Sequence, residues 1–423
     1  MFDPDLHSGK RGLPGTRETV AMLAGLMALN AFAIDAMIPA LPAIGAELGV
    51  ADENQRQLVV LAYFFGFGST QLLWGPLADR FGRKPILAAG VLLYTTFAIL
   101  CGIAGSFTLL IASRVAMGAS AAVTRVLVVA MVRDLFDGEA MARIMSLVFM
   151  VFMVVPVLAP SVGQGILLFA PWRAIFIVLA VYGLAMLVWS WLRLPETLHP
   201  EYRRSLRWRE IGGGIRDTVA ERQSLGYTLA LTAVFGGLTA YIASVQQIVS
   251  DVFHAPGAIG IVFAGVAAPM ALASWLNSRV VERFGLRAVG HLGVIAFATV
   301  TIAHAVLASV IAEPLWMFAG LQSLAMAAFA FSSANLSTLA MEHMAPIAGT
   351  ASSVQGVIGT IGGAAIGLVI GQSFDGTQLP FLIGIAASGT IGLLLTVITE
   401  KGRLMRDPRQ PAIVTEDMVQ FPH

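Results

Sequence analysis

Long apolar stretches alternate along this chain with short segments that carry charges or turn residues. A helix that crosses a bilayer needs roughly 20 apolar residues, and each stretch is about that long. The pattern predicts an all-α integral membrane protein with twelve transmembrane helices, at residues 18–39, 56–78, 86–104, 108–132, 143–168, 172–194, 225–250, 257–279, 288–311, 315–340, 346–372 and 379–400.

Composition supports this fold class and excludes several others. Of the 423 residues, 57% are hydrophobic and only 12% are charged, whereas a soluble domain has about 25% charged residues. This excludes an ordinary cytosolic enzyme and a disordered chain. The net charge of +1 gives no reason to expect nucleic acid as a partner, and the single cysteine, Cys101, excludes an intramolecular disulfide or a cysteine zinc cluster.

A polar stretch at residues 195–224 divides the chain into two parts. We interpret residues 1–194 as an N-terminal six-helix half and residues 225–423 as a C-terminal six-helix half with a short tail. The stretch itself has two interpretations, an amphipathic helix on the membrane surface or a solvated linker. Its apolar residues at near-helical spacing are Leu206, Trp208, Ile211 and Ile215.

The positions of the basic residues predict the orientation in the membrane. With both termini in the cytoplasm, all but four of the 26 Lys and Arg residues fall on the cytoplasmic side. Arg56 and Arg173 fall outside, and Arg114 and Arg125 lie within a span. Because cytoplasmic loops carry an excess of Lys and Arg, we expect cytoplasmic termini.

One loop motif occurs twice, six spans apart. The segment GPLADRFGRKP begins at Gly75, and a degraded copy, SRVVERFGLRA, begins 203 residues later at Ser278. The alignment matches Asp79 with Glu282, Gly82 with Gly285, and Lys84 with Arg287. It predicts two parallel six-helix halves in a pseudo-two-fold arrangement.

The first copy resembles the loop signature of the major facilitator superfamily, G-x-L-a-D-r-x-G-r-k-p. The resemblance implies that fold and a conformational role for the loop. We expect Gly75 and Gly82 to allow tight turns and close helix approach, and Asp79 to cap or ion-pair. Arg80 and Arg83 should anchor the loop at anionic headgroups.

Further segments resemble the Bcr/CflA group of drug:proton antiporters. They are IDAMIPALPAI (34–44), LPETL (194–198) and IAGTASSVQG (347–356). In the fifth span, PVLAPSVGQ (156–164) resembles the antiporter signature G-P-x-x-G-G, with Ala and Gln in place of its first and last Gly. The resemblance implies gating roles for Pro156, Pro160 and Gly163.

Asp35 is the one acidic residue well inside a predicted span. A carboxylate is costly in the bilayer interior, and binding a proton removes its charge. We therefore expect Asp35 to carry a coupling proton, the alternative being a structural acid near Pro39. Arg114 lies at nearly the same depth and, with Gly118, matches the family signature R-x-x-x-G. We expect it to pair with ionised Asp35, the alternative being a fixed structural cation.

Arg125 follows Arg114 by eleven residues and therefore faces the same side of its helix. Either it attracts anionic or electron-rich substrates, or a loop acid such as Asp79 neutralises it. Other polar residues within spans are candidates for binding substrates through hydrogen bonds: Asn30, Tyr241, Gln246, Gln247, Asn335 and Gln355.

The sequence contains no P-loop, no nucleophile triad and no metal-ligand spacing, so we expect no catalytic residues, no metal and no cofactor. Energy should come from a proton gradient. The expected function is a monomeric, proton-coupled antiporter that exports small amphipathic or hydrophobic drugs across a bacterial inner membrane. A metabolite importer or exporter of the same fold is the nearest alternative, and a membrane receptor or enzyme a more distant one.

Overall fold

The computed structural model describes residues 15–136, 138–198, 201 and 208–405, and these residues form helices joined by short loops. The helices of the N-terminal half are α1 (Thr16–Asp35), α2 (Leu41–Glu47), α3 (Leu58–Phe81), α4 (Arg83–Gly102), α5 (Phe107–Leu135), α6 (Gly138–Leu167) and α7 (Arg173–Arg193). Then come α8 (Trp208–Ala220), α9 (Arg222–Gln247), α10 (Ile259–Phe284), α11 (Leu286–Val310), α12 (Leu315–Ala340), α13 (Ala348–Gln372) and α14 (Leu379–Thr399).

The predicted fold class is confirmed. Eleven helical segments of the described chain are long and apolar enough to cross a membrane, and α6 contains a further apolar segment, Val154–Leu167. The first span differs from the prediction because α1 ends at Asp35 and a separate short helix, α2, follows. Pro39 lies between α1 and α2, and Pro42 lies in the first turn of α2. Each proline lacks the N–H donor that a continuous helix needs.

Glycines allow the closest helix packing within each half. A Cβ added at Gly118 of α5 would overlap the backbone carbonyl of Tyr63 on α3. In the C-terminal half, a Cβ at Gly367 of α13 would lie 2.7 Å from the Thr239 hydroxyl on α9. Small residues of this kind let the backbones of membrane helices approach one another.

The two ends of the bundle differ in charge. The end at which α1 begins and α14 ends, here called the basic end, carries Arg80, Arg83, Lys84, Arg193, Arg283 and Arg287. At the opposite end the two halves are bonded to each other. Gln57 donates to Gln247 Oε1 at 2.8 Å, and Gln164 donates to the Pro256 carbonyl at 3.2 Å.

At the basic end, two ion pairs lie each within one half. Arg83 pairs with Asp134 in the N-terminal half, and Arg287 pairs with Glu342 in the C-terminal half. Hydrogen bonds therefore join the halves at the opposite end and, between Gln71 and Thr360, toward the middle of α3 and α13.

The polar stretch between the halves contains helix α8. Thr218 is buried, and a Cβ added at Gly214 would lie 2.8 Å from Thr350 of α13. This favours the amphipathic helix over the solvated linker. Leu206 and the side chains of Trp208 and Ile211 lie outside the described residues. The exact division of the chain at 195–224 stays a prediction.

Candidate proton and substrate site

Asp35 lies at the junction of the two halves. It is the last residue of α1, only 4% of it is exposed, and its Oδ1 is buried without a hydrogen-bond partner in the described chain. Tyr241, on α9 of the other half, is 2% exposed and lies within electrostatic range of this carboxyl group. The Tyr241 hydroxyl is also buried without a partner. An acid of one half and a phenol of the other thus lie within electrostatic range, each with unused hydrogen-bonding capacity.

Helix α6 holds the chain just after Asp35 in place. A Cβ added at Gly163 would overlap the carbonyl oxygen of Ala36. The absence of a side chain at Gly163 therefore lets α6 pack directly against the backbone at the end of α1. Pro156 and Pro160 lie inside α6, each removing one backbone donor. The structure thus places Gly163 beside Asp35, while the gating roles of all three residues stay predictions.

Arg114 is fully buried, and it does not pair with Asp35. Its Nε donates to the Val59 carbonyl at 2.8 Å and its Nη1 to the Ala33 carbonyl at 2.9 Å. Its guanidinium also lies 4.7 Å from the centre of the Tyr63 ring. The predicted depth is right, since Ala33 is two residues from Asp35. In the described chain Arg114 and Asp35 form no ion pair, and Arg114 Nη2 and Asp35 Oδ1 are both buried without a hydrogen-bond partner. Their pairing during the transport cycle stays a prediction.

Asn30 connects three helices of the N-terminal half. Its amide donates to Thr124 Oγ1 at 2.7 Å, and the Tyr63 hydroxyl donates to its Oδ1 at 3.0 Å. Asn30 is therefore buried and bonded, and it does not line open space as a free ligand group. Sequence reasoning missed Tyr63 and Thr124, although a Tyr within an apolar span is itself a sign of a polar partner.

Four of the five predicted substrate-binding residues in the C-terminal half are bonded to protein. The amide of Gln246 donates to Ser250, that of Gln247 to Asn54, that of Asn335 to Asn277, and that of Gln355 to Ser224. Of these bonds, only that of Gln247 joins the two halves. Tyr241 is the member of the set whose polar atom has no partner in the described chain.

A buried ionisable pair, which the sequence did not reveal, lies in the C-terminal half. His304 Nε2 is 2.7 Å from Glu313 Oε1, and the Gln322 amide lies 3.3 Å from the other ring nitrogen of His304. Glu313 precedes α12 in a loop, so its position in the sequence suggested exposure, yet only 8% of it is exposed. The pair joins α11 to α12 within one half.

The loop between α3 and α4 has the geometry that its motif predicts at Gly82 but not at Gly75. Gly82 has φ = 103°, a conformation that favours glycine. Glu196 accepts hydrogen bonds from the backbone amides of Arg83 and Lys84 at 2.9 and 3.3 Å, which caps α4. The expected close helix approach at Gly75 is wrong, because a Cβ there would meet only Val126, at 3.9 Å.

Asp79 is an ion-pair residue, as expected. Its Oδ1 lies 2.8 Å from Arg83 Nη1, and Arg83 also bonds Asp134. Arg80 is exposed at the basic end and stacks 5.1 Å from the Phe81 ring centre. The interpretation that Asp79 neutralises Arg125 is therefore not supported, because Arg83 occupies that carboxylate.

The second copy of the loop repeats this arrangement with a shift of one residue. Gly285 also has a positive φ, 81°, and Arg287 pairs with Glu342 at 2.7 Å and with Glu400 at 3.2 Å. Arg287 thus makes the contacts that Arg83 makes, although the sequence alignment pairs it with Lys84. Burial alone would raise the pKa of Glu342, but the hydrogen bond and the charge of Arg287 hold that pKa below its usual range.

Arg125 has a different environment from Arg114. Its side chain is exposed, whereas that of Arg114, on the same side of α5, is buried. Accessible residues toward the middle of a helix face either lipid or an internal cavity. The face shared with Arg114 is turned toward α1 and the interior, since the Arg114 side chain bonds α1 at Ala33. Arg125 is therefore an accessible cation on the face of α5 that is turned toward α1.

Comparison with known proteins identifies the family. The sequence model of the Major Facilitator Superfamily matches residues 23–215. The bicyclomycin resistance protein homolog of Haemophilus influenzae is 30% identical over 380 residues, which cover 89% of this chain and 94% of that protein. This chain belongs to the major facilitator superfamily.

Two further comparisons extend this assignment. The multidrug resistance protein MdtL of Escherichia coli O157:H7 is 35% identical to this superfamily member over 172 residues, 41% of this chain and 44% of that protein. The predicted Bcr/CflA-type group is confirmed. The crystal structure of a D-xylose-proton symporter matches with a TM-score of 0.74 over 92% of this chain and 98% of that chain. At 14% identity, that match shows the fold alone.

Proposed function

We propose that this superfamily member exports small amphipathic or hydrophobic drugs in exchange for protons. The observation that carries the proposal is the buried Asp35 carboxyl group, which lies at the junction of the halves without a hydrogen-bond partner in the described chain. The names of its relatives, a bicyclomycin resistance protein homolog and a multidrug resistance protein, support the drug class.

Asp35 is suited to couple a proton to movement of the halves. An ionised carboxylate with no partner is costly in a buried position, and binding a proton removes that cost. When the halves rock, the surroundings of Asp35 change, because Tyr241 belongs to the other half whereas Ala36 and Gly163 belong to the same half as Asp35. In our scheme the proton binds when the opposite end is open and leaves when the basic end is open. The proton gradient is the energy source, and the scheme needs no cofactor.

We place the protein in a bacterial inner membrane with the basic end in the cytoplasm. The bacterial relatives and the excess of basic residues at that end support this orientation. In our scheme a drug enters from the cytoplasm when the basic end is open. A monomer suffices, because both halves that enclose the cavity come from one chain.

The test is a panel of toxic compounds applied to a pump-deficient bacterial host that expresses the chain. We expect raised tolerance to several structurally different amphipathic compounds, and its loss when a protonophore collapses the gradient. In everted vesicles, addition of such a compound should dissipate a preformed pH gradient. Tolerance to no compound, together with proton-linked uptake of a metabolite, would instead support the importer that shares this fold.

A further inference from the structure

Arg125 occupies a position that structural needs do not explain. It lies ten residues before the end of α5 at Leu135, about 15 Å from the basic end at 1.5 Å per residue. Its side chain is nevertheless accessible. A charged residue at such depth costs free energy and is functional by default.

Three described acids at the basic end of this half are engaged elsewhere. Asp79 and Asp134 both pair with Arg83, and Glu196 caps α4. Throughout the described part of the chain, no hydrogen bond or ion pair is found for Arg125. Its guanidinium therefore has free donors on the accessible face of α5 that is turned toward α1.

Arg125 is also separate from the proton site. Arg114, which bonds the Ala33 carbonyl close to Asp35, lies eleven residues earlier on the same face of α5. Eleven residues of helix correspond to about 16 Å. A ligand group bound at Arg125 thus lies closer to the basic end than Asp35 does. It can bind without contacting the carboxyl group that takes the proton.

We infer that Arg125 binds an anionic group of the substrate, so that the transported compounds are amphipathic anions bearing a carboxylate or sulfonate. The inference rests on the proposed function and narrows its substrate class. A guanidinium presents a planar fork of donors that fits such groups in two parallel hydrogen bonds. Charge-assisted bonds of this kind strengthen in a cavity with apolar walls, where water competes less.

The experiment compares two fluorescent probes that differ only in charge, dansylglycine and its neutral amide, with the purified full chain in detergent. We expect saturable binding of dansylglycine by the wild type, with an affinity at least about tenfold above that for the amide. Arg125→Gln should remove this preference while leaving amide binding unchanged, and Arg125→Lys should restore part of it.

Arg133→Gln is the matched control. Arg133 is exposed in the last turn of the same helix, about 12 Å farther toward the basic end than Arg125, so the same substitution there should leave both affinities unchanged. Equal affinity of the wild type for acid and amide, no saturable binding of the acid, or an unchanged preference in Arg125→Gln would overturn the inference.

The outcome is separable from that of the proposed function. If Arg125→Gln loses tolerance to anionic drugs but keeps proton-driven tolerance to neutral ones, the inference is supported and export stands. If the wild type prefers dansylglycine in detergent but shows no gradient-driven export, the anion site is supported and the export function is contradicted. If the wild type exports drugs but shows no preference for dansylglycine, export is supported and the anion site is contradicted.

Discussion

Asp35 and Tyr241 lie in different halves of the protein within electrostatic range of each other, and neither the carboxyl Oδ1 nor the phenol hydroxyl has a hydrogen-bond partner in the described chain. Asp35 ends α1, whereas Tyr241 lies on α9, so their separation depends on how the halves are placed. Any rocking movement changes the environment of the carboxyl group. This is the relationship through which protonation and conformation influence each other.

Asp35→Asn should abolish uphill, proton-driven export while leaving substrate binding in place. Asn has the shape of the protonated acid and cannot ionise, so the step that releases the proton is lost. The measurement is substrate-induced proton release from detergent-solubilised protein. Asp375→Asn, in an exposed loop at the opposite end, is the control and should release protons as the wild type does. Undiminished release by a folded Asp35→Asn protein would remove Asp35 from the proposed cycle.

Arg114→Met should affect stability before it affects coupling. The substitution leaves the buried carbonyls of Ala33 and Val59 without their donor, at a cost of roughly 1–3 kcal/mol each. We expect a lower unfolding temperature in detergent and poor yield, with the pH dependence of any remaining export unchanged. Wild-type stability with altered pH dependence would instead favour the ion pair with Asp35 in another conformation.

The sequence predicted the spans and the repeated loop because these signals are local. The length of an apolar stretch predicts a span. The loop motif predicts a glycine with positive φ, and this occurs both at Gly82, between α3 and α4, and at its counterpart Gly285. The partner of Arg114 could not be predicted, since backbone carbonyls carry no sequence signal. Depth along a helix follows from counting residues, as for Arg114 and Asp35. The direction in which a side chain points depends on helix packing, which counting does not give.

Polar residues within the spans show the same limit. Gln247 was predicted to bind substrate, but it bonds Gln57, which is 190 residues away in the chain. A polar residue within an apolar span indicates that it has a partner. The sequence does not indicate whether that partner is a ligand, a residue of the same half or a residue of the other half.

Gln247→Ala should therefore loosen the opposite end of the bundle. It removes the bonds to Gln57 and Asn54, each worth about 0.5–1.5 kcal/mol, so states open at this end should gain roughly fivefold or more in population. Spin labels on Val50→Cys and Asp375→Cys, in a Cys101→Ser background, would report this as longer distances.

Gln246→Ala is the matched control for this change. The neighbouring Gln246 bonds Ser250 within its own half, so its loss should leave the distance distribution unchanged. If Gln247→Ala and Gln246→Ala give the same distribution as the wild type, the amide bonds between the halves do not hold this end closed.

Gly163→Ala should impair both stability and export. The added methyl group would overlap the carbonyl oxygen of Ala36, and because that atom belongs to the backbone, α6 must move away from α1. Such overpacking costs about 1–3 kcal/mol, and the displacement occurs beside Asp35. The measurements are the unfolding temperature in detergent and gradient-driven export in everted vesicles.

Gly165→Ala separates crowding from a general effect of replacing glycine in α6. A Cβ at Gly165 would meet nothing within 4 Å, so this change should be neutral or stabilise the helix by roughly 0.5–1 kcal/mol. We expect Gly165→Ala to export like the wild type, whereas Gly163→Ala loses export even under conditions in which it stays folded. Equal behaviour of the two variants would show that the contact between Gly163 and Ala36 does not constrain the surroundings of Asp35.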